Sequence, residues 1–591
     1  MRTADRNAVR ELAARAAALT REGLSSSAPP AGWKPLPWDL VQQLESRGVS
    51  SPDWNGIQVS GRCSLDGISE TVLEGPVRLD LAPGSRLQGS KLSCCDLHGV
   101  VRVVGTREIS GYVLHDGCAV ERCGSVTWRE GTASCLDAVM QLGVETGERS
   151  LALMPGLSVE LAWLLTGPSR NLMKLYDLEM DDLRAMLTGS LKGLIGPGAV
   201  LRSVPVVENT VVGRGCVIDN ACAVRDVVML GGSEEGSRIL DGALVRRSAL
   251  QWSATADSGC IIEESLVGEH SRVERQALLS GSLLGPDCVH GQGEITASLV
   301  GPLTSTHHQS LLIAARWPGG CGNVGYGANV GSNHTSRLPD QEASLGCGVF
   351  LGLGCSVKYP SSIAAGTMVA TGTVLPPQRI EYPFSLVSEA ADGCELCPGW
   401  VLSSNLFSLL RNLSKYRARR KASREPLFET PVNPVVTGQV ITARNRLVSV
   451  SGRKAYKAPE LEGAGACYVT EIGRQKGIAG YTMFLRWQCL DALLVRLEGG
   501  AAPGGAEELD DLVAREFPGL EPPALMARYV ELLGGMLELV IASRSRDFVR
   551  GSSVIDDYAE IHSPPAEDRA LEAVLEELRD KRVRASALSG G

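Results

Sequence analysis

The chain has 591 residues and a net charge of −9, with 67 glycines and only 5 % aromatic residues. That charge balance argues against a general nucleic-acid binder, which needs a broad positive field. No run of about 18 apolar residues exists, so no membrane span is expected. Much glycine and little aromatic volume suit a turn-rich, thin-layered fold better than a helical globule, and a repeat array of this kind can be one unit at any length.

The chain divides by pattern. Residues 1–55 read as N-terminal helices and a linker: an Ala/Arg-rich helix over 4–23, a Ser/Pro linker from Ser25 to Gly32, and a helix over 37–47. Over 56–155 aliphatic residues recur every five to seven positions between Gly, Asp and Pro, as in Val72-Leu-Glu-Gly-Pro-Val77, which predicts short strands joined by turns. Residues 156–194 carry helical spacing in Leu172, Leu175, Leu178, Leu183 and Leu187, and predict a helical insert.

From 195 to 392 the repeat is plain: Ile195-Gly-Pro-Gly-Ala-Val, Val212-Gly-Arg-Gly-Cys-Val, Ile218-Asp-Asn-Ala-Cys-Ala, Val267-Gly-Glu-His-Ser-Arg, Leu284-Gly-Pro-Asp-Cys-Val and Leu351-Gly-Leu-Gly-Cys-Ser. An aliphatic residue points into a narrow prism, and its Gly, Asn or Asp neighbour takes the tight corner. A small residue follows where the flat sides approach. Cys216, Cys222, Cys260, Cys288, Cys347 and Cys355 fall on positions that such a repeat turns inward, as small buried hydrophobes of a reducing cytoplasm. The N-terminus has no long apolar stretch of the secretory kind, so the expected localisation is cytoplasmic. Residues 393–591 predict a helical C-terminal region: a helix over 398–424 ending in the basic run Lys415–Arg424, an irregular stretch over 425–475, then helices at about 478–497, 506–517, 522–548 and 565–587.

The run 195–390 resembles the hexapeptide-repeat proteins, whose fold is a left-handed parallel β-helix. More narrowly, Trp33-Lys-Pro-Leu, Asp53-Trp54, Gly301-Pro-Leu-Thr-Ser-Thr-His-His-Gln-Ser310, Gly331-Ser-Asn-His334 and Tyr382-Pro-Phe-Ser-Leu resemble a large bacterial hexapeptide family catalogued as a domain of unknown function. The resemblance implies a mainly β fold, left-handed coils in two stretches, and assembly as a homotrimer.

Within the repeat the aliphatic rhythm breaks once, where three of the eight histidines (His307, His308 and His334) fall close together. In hexapeptide acyltransferases a histidine takes a proton from an acceptor hydroxyl or amine where neighbouring prisms meet, a task that suits imidazole, whose ordinary pKa is about 6.5. The resemblance therefore implies His307 or His308 as general base. Gln309, Ser310, Asn329, Asn333 and His334 would hold a nucleotide sugar or similar small acceptor. Asp340 or Glu342 would orient an imidazole, acyl-CoA would be the donor, and amides of Gly320–Gly331 would hold the oxyanion.

Two other readings use the same segment. His290, His307, His308 and His334 can be drawn together as metal ligands of a hydratase or hydrolase, although no His-x4-His pair of the known prism hydratases is present. Alternatively, the histidines brace a loop in a non-catalytic sugar-phosphate-binding or scaffold protein. The glycine run contains a formal G-x-G-x-x-G, but no helical pattern follows it, as a dinucleotide fold would require. Cys394-x2-Cys397 has no second pair to complete a zinc site.

Overall fold

The computed structural model describes residues 5–24, 32–331, 341–425, 430–500 and 506–590. Contacts group the chain into two compact units: the described residues of 1–318, 333–342 and 421–426 form the first, and those of 319–332, 343–420 and 427–591 the second. Both are built on coils of a parallel β-solenoid with three flat faces.

In the first unit, face A runs in parallel steps from Ile57–Val59 to Ala315–Trp317, face B from Val72–Glu74 to Leu311–Ile313, and face C from Ile68–Ser69 to Ser305–Thr306. Inward side chains form apolar columns. Val212, Ile218, Val224 and Met229 are all fully buried, so one coil advances by six, six and five residues between inward positions. The five-residue side is closed by one left-handed residue, as at Asn209, Asp226, Arg247 and Glu264. This shortened side explains why the hexapeptide rhythm looks imperfect in the sequence. It also corrects one expectation: Cys222 is exposed, and Ala221 takes the small inward place before Val224. Cys216, Cys260, Cys288, Cys347 and Cys355 are buried as expected.

A serine ladder lines the same five-residue side. Ser248, Ser265, Ser282 and Ser298 are fully buried, and each Oγ accepts from the amide one coil on, at 3.0–3.1 Å. The Oγ of each donates to the carbonyl two residues back. Each hydroxyl of this ladder is thus satisfied without breaking the sheet.

The coils before and after the helical insert are direct neighbours: Tyr112–Leu114 pairs with Gly193–Ile195, Ala119–Glu121 with Val200–Arg202, and Ser125–Thr127 with Val206–Glu208. The two repeat stretches therefore stack continuously. The excursion between them starts earlier than 156, because Val139–Gln141 and Ser150–Ala152 form an antiparallel hairpin outside the coils. That hairpin has the same short apolar spacing as the coils, which hides it in the sequence. Helices α1 (Arg6–Leu24), α2 (Trp38–Ser46), α3 (Val159–Leu165) and α4 (Met173–Thr188) complete this unit.

In the second unit, Asn323–Val324 pairs with Phe350–Leu351 and Asn329–Val330 with Ser356–Val357, continuing to an antiparallel end at Leu386–Ala390 and Gly393–Cys397. Its helices are α5 (Trp400–Ser404), α6 (Leu406–Arg419), α7 (Pro434–Val448), α8 (Glu471–Leu497), α9 (Ala506–Glu516), α10 (Pro522–Ser552), α11 (Tyr558–Ile561) and α12 (Arg569–Leu588). Helix α7 lies in the stretch expected to be irregular. Asn433 caps it by accepting from Val436, Pro434 opens it, and Val436, Val440, Ala443 and Leu447 are its buried stripe. The helix expected over 398–424 breaks at Asn405 and stops at Arg419. Helix α8 packs on the coils through Phe484 against Phe384, ring centroids 5.1 Å apart, and Tyr481 donates to the Pro383 carbonyl at 2.7 Å.

Candidate functional site

His307 and His308 stand on the corner between face C and face B of the first unit, just after inward Thr306. His307 is half-buried and His308 exposed, and their rings lie 4.6 Å apart at 33°. The corner explains how they are held. Asp241-Gly242, Ser258-Gly259, Arg275-Gln276 and His308-Gln309 each place two consecutive residues in the left-handed region. The second residue's amide donates to the preceding coil: Gly242 to Asn220, Gly259 to Asp241, Gln276 to Ser258 and Gln309 to Gln292. Two of these corners use Gly in the second place. Arg275-Gln276 and His308-Gln309 (φ 56° and 59°) use none, and each such residue costs about 1 kcal/mol or more relative to Gly.

Ser310 follows on the way to face B. Its Oγ is buried with no hydrogen-bond partner among the described residues. Asn329 belongs to the second unit, half-buried on a coil strand, with its Oδ1 likewise buried and unpartnered among the described residues. Asn333, His334 and Asp340 lie outside the described residues. Glu342 is held by Arg149 through two bonds of 2.5 and 2.6 Å, and that pairing occupies the carboxylate proposed to orient an imidazole.

His290 is a core residue. It continues the inward column Val273, His290, Thr306 on face C and is fully buried. Its Nδ1 meets Thr306 Oγ1 at 2.7 Å and its Nε2 meets the Leu278 carbonyl at 2.9 Å. Burial pushes its pKa down to about 4. Ligation by His290 would require one of these two bonds to break. The column could have been found by counting one coil of 17 residues from Val273 to His290.

The glycine run is coil. Amides of Gly325, Asn329 and Gly331 donate to the carbonyls of Leu351, Cys355 and Val357 at 2.9–3.1 Å. Those three donors are spent on the solenoid and are not available to an oxyanion.

The end of the basic run forms a strap in the first unit. Lys421 and Ala422 amides donate to Asp287, and Ser423 and Arg424 amides donate to Glu269, which is 2 % exposed. Arg424 adds a 2.7 Å bond to Glu269, a bond to Glu235, and stacking 4.3 Å over Trp252. The Glu425 carboxylate accepts from the Val159 amide at 2.6 Å, and desolvation pushes its pKa up to about 8. Among the described residues, Glu235, Glu269 and His270 form the group whose ligand atoms converge within 4.8 Å. Arg424 bonds to both carboxylates, so an ion-pair network already engages this cluster. Spacing could not foresee it, because Glu235, Glu269 and Arg424 are far apart in sequence.

Comparison with known proteins points the same way as the coils. A family model described as a domain of unknown function (DUF4954) matches residues 33–448. An uncharacterized protein of Treponema pallidum (strain Nichols) is 22 % identical over 423 residues, covering 67 % of this chain and 58 % of that protein. The bifunctional protein GlmU of Symbiobacterium thermophilum is 28 % identical over 151 residues, 24 % of this chain and 30 % of GlmU. The chain thus spans about three-fifths and under a third of the lengths of these two relatives. Among the described residues no helix is long and apolar enough to cross a membrane.

Proposed function

The chain belongs to the DUF4954 family, and from that premise we propose that it is an acyltransferase of the hexapeptide type, acting on a nucleotide sugar or a similar small acceptor. The observation that carries this is the His307–His308 corner: two adjacent imidazoles on a solenoid edge, their rings 4.6 Å apart, the second on left-handed backbone. The solenoid's packing needs no imidazole there, since Arg275-Gln276 closes the same corner without one. The partial similarity to a bifunctional GlmU supports the reading at the level of the repeat.

In this proposal one imidazole of the pair removes a proton from the acceptor hydroxyl or amine. The freed oxygen or nitrogen attacks the thioester carbonyl of acyl-CoA. The tetrahedral intermediate expels the CoA thiolate, which takes the proton back from the imidazolium as CoA-SH. Gln309 and the Ser310 hydroxyl position the acceptor, and Asn333 and His334 remain proposed binding residues. The proposed assembly is a homotrimer in which a neighbouring prism closes the site, in a reducing cytoplasm that suits the 17 free cysteines.

Thermal unfolding of the purified chain with acetyl-CoA and UDP-hexosamines tests the proposal. A ligand at one hundred times its Kd stabilises by about 2.7 kcal/mol, and the rise in Tm must vanish in His307→Ala/His308→Ala. An unchanged Tm with every donor and acceptor favours the scaffold reading, and a shift with divalent metal alone favours the hydratase.

A further inference from the structure

A cavity of about 340 Å³ opens on face A of the first unit, beside the end of α4. Its floor is an outward column on which Arg78, Asp96, Val113 and Leu194 pair in successive coils. Trp128, 7 % exposed, forms a wall, and Leu191, 68 % exposed, stands among the lining residues towards solvent. Lys192 reaches Asp96 at 2.7 Å and Arg78 approaches the same carboxylate at 3.9 Å.

The lining holds two cations, Arg78 and Lys192, and one carboxylate, Asp96, so one positive charge lacks a counter-charge among these groups. Arg78 is half-exposed and also donates to Gln58. The wall is also placed with care: a Cβ on Gly193 would come within 2.6 Å of the Trp128 and Tyr112 rings, so glycine there lets the indole lie against the backbone.

We infer that this cavity is a second binding site, for a small organic carboxylate with an apolar tail. The carboxylate lies against Lys192 and Arg78 and balances their excess charge, and the tail rests on Leu191, Leu194 and the Trp128 wall. A monoanion fits one surplus cation better than a phosphate dianion. The volume is at the lower end of the range of about 300–1,000 Å³ for small-molecule sites.

The test uses the full chain labelled with 15N in its tryptophan indoles, with the Trp128 signal assigned by its loss in Trp128→Phe. Titration with 4-phenylbutyrate is expected to move that signal with a Kd of about 1 mM or tighter, while the neutral 4-phenyl-1-butanol leaves it in place. Lys192→Met should weaken binding at least ten-fold. Leu191→Glu changes an exposed residue, leaves the Lys192–Asp96 pair intact, and should weaken it similarly by repulsion. The inference is overturned if the Trp128 signal stays still at about 10 mM probe, if the alcohol binds as well as the acid, or if Leu191→Glu binds like the parent.

Discussion

Replacing His290 by leucine separates the packing of the solenoid from its electrostatics. The folded histidine titrates near 4 against an ordinary 6.5, because burial disfavours its charged form. A group whose folded pKa lies below its unfolded one contributes full stability above the unfolded value. That contribution is lost as pH falls through 6.5 towards 4, and here amounts to about 3 kcal/mol. At pH 7.5 His290→Leu removes the bonds to Thr306 and the Leu278 carbonyl and strands two buried polar groups, a loss of about 2 kcal/mol. At pH 4 the parent has lost the histidine's contribution and the variant has not, so the variant becomes as stable as the parent or more so. Urea unfolding followed by β-sheet circular dichroism at stepped pH measures the difference, since carboxylates titrate alike in both chains. A difference independent of pH between 7.5 and 4 would refute the placement of His290 as a neutral core residue.

Three further outcomes are expected. Arg424→Ala leaves Glu269 buried without its cation and should loosen the strap by about 3 kcal/mol, read as faster amide exchange at residues 421–425; unchanged exchange would mean the backbone bonds to Asp287 and Glu269 suffice. Gly193→Ala forces the Trp128 and Tyr112 rings apart and should destabilise by about 1–3 kcal/mol, seen as a lower Tm. Gln309→Gly relieves a left-handed residue and should raise stability by about 1 kcal/mol while lowering transferase activity; a stabilised variant of full activity would show that this corner has no part in the chemistry.

The coils were legible because aliphatic residues facing one narrow prism must recur, and Ile195, Val212 and Leu284 with their glycines make that recurrence visible. The five-residue side was not legible, because a corner at Asn209 or Asp226 reads like any other Asn or Asp turn; hence the repeat pattern places Cys222 inward when Ala221 is the inward residue. His290 was grouped with His307 and His308 by residue type alone. Only the pairing of Val273 with His290, and of His290 with Thr306, shows that one imidazole is inside the prism and two are on its edge. The Trp128 cavity carried no sequence signal. Its parts come from coils separated by the insert, and they meet only because Tyr112–Leu114 pairs with Gly193–Ile195.

Turnover is the decisive measurement for the chemistry of the His307–His308 corner. The purified chain is incubated with acetyl-CoA and a panel of UDP-hexosamines, and free CoA and acylated sugar are read by mass spectrometry. The parent should give stoichiometric CoA and acylated product, with the rate reduced by about 10²-fold or more in His307→Ala/His308→Ala. Acylated product formed equally fast by that double variant would contradict it, as would no product and no CoA release with any acceptor.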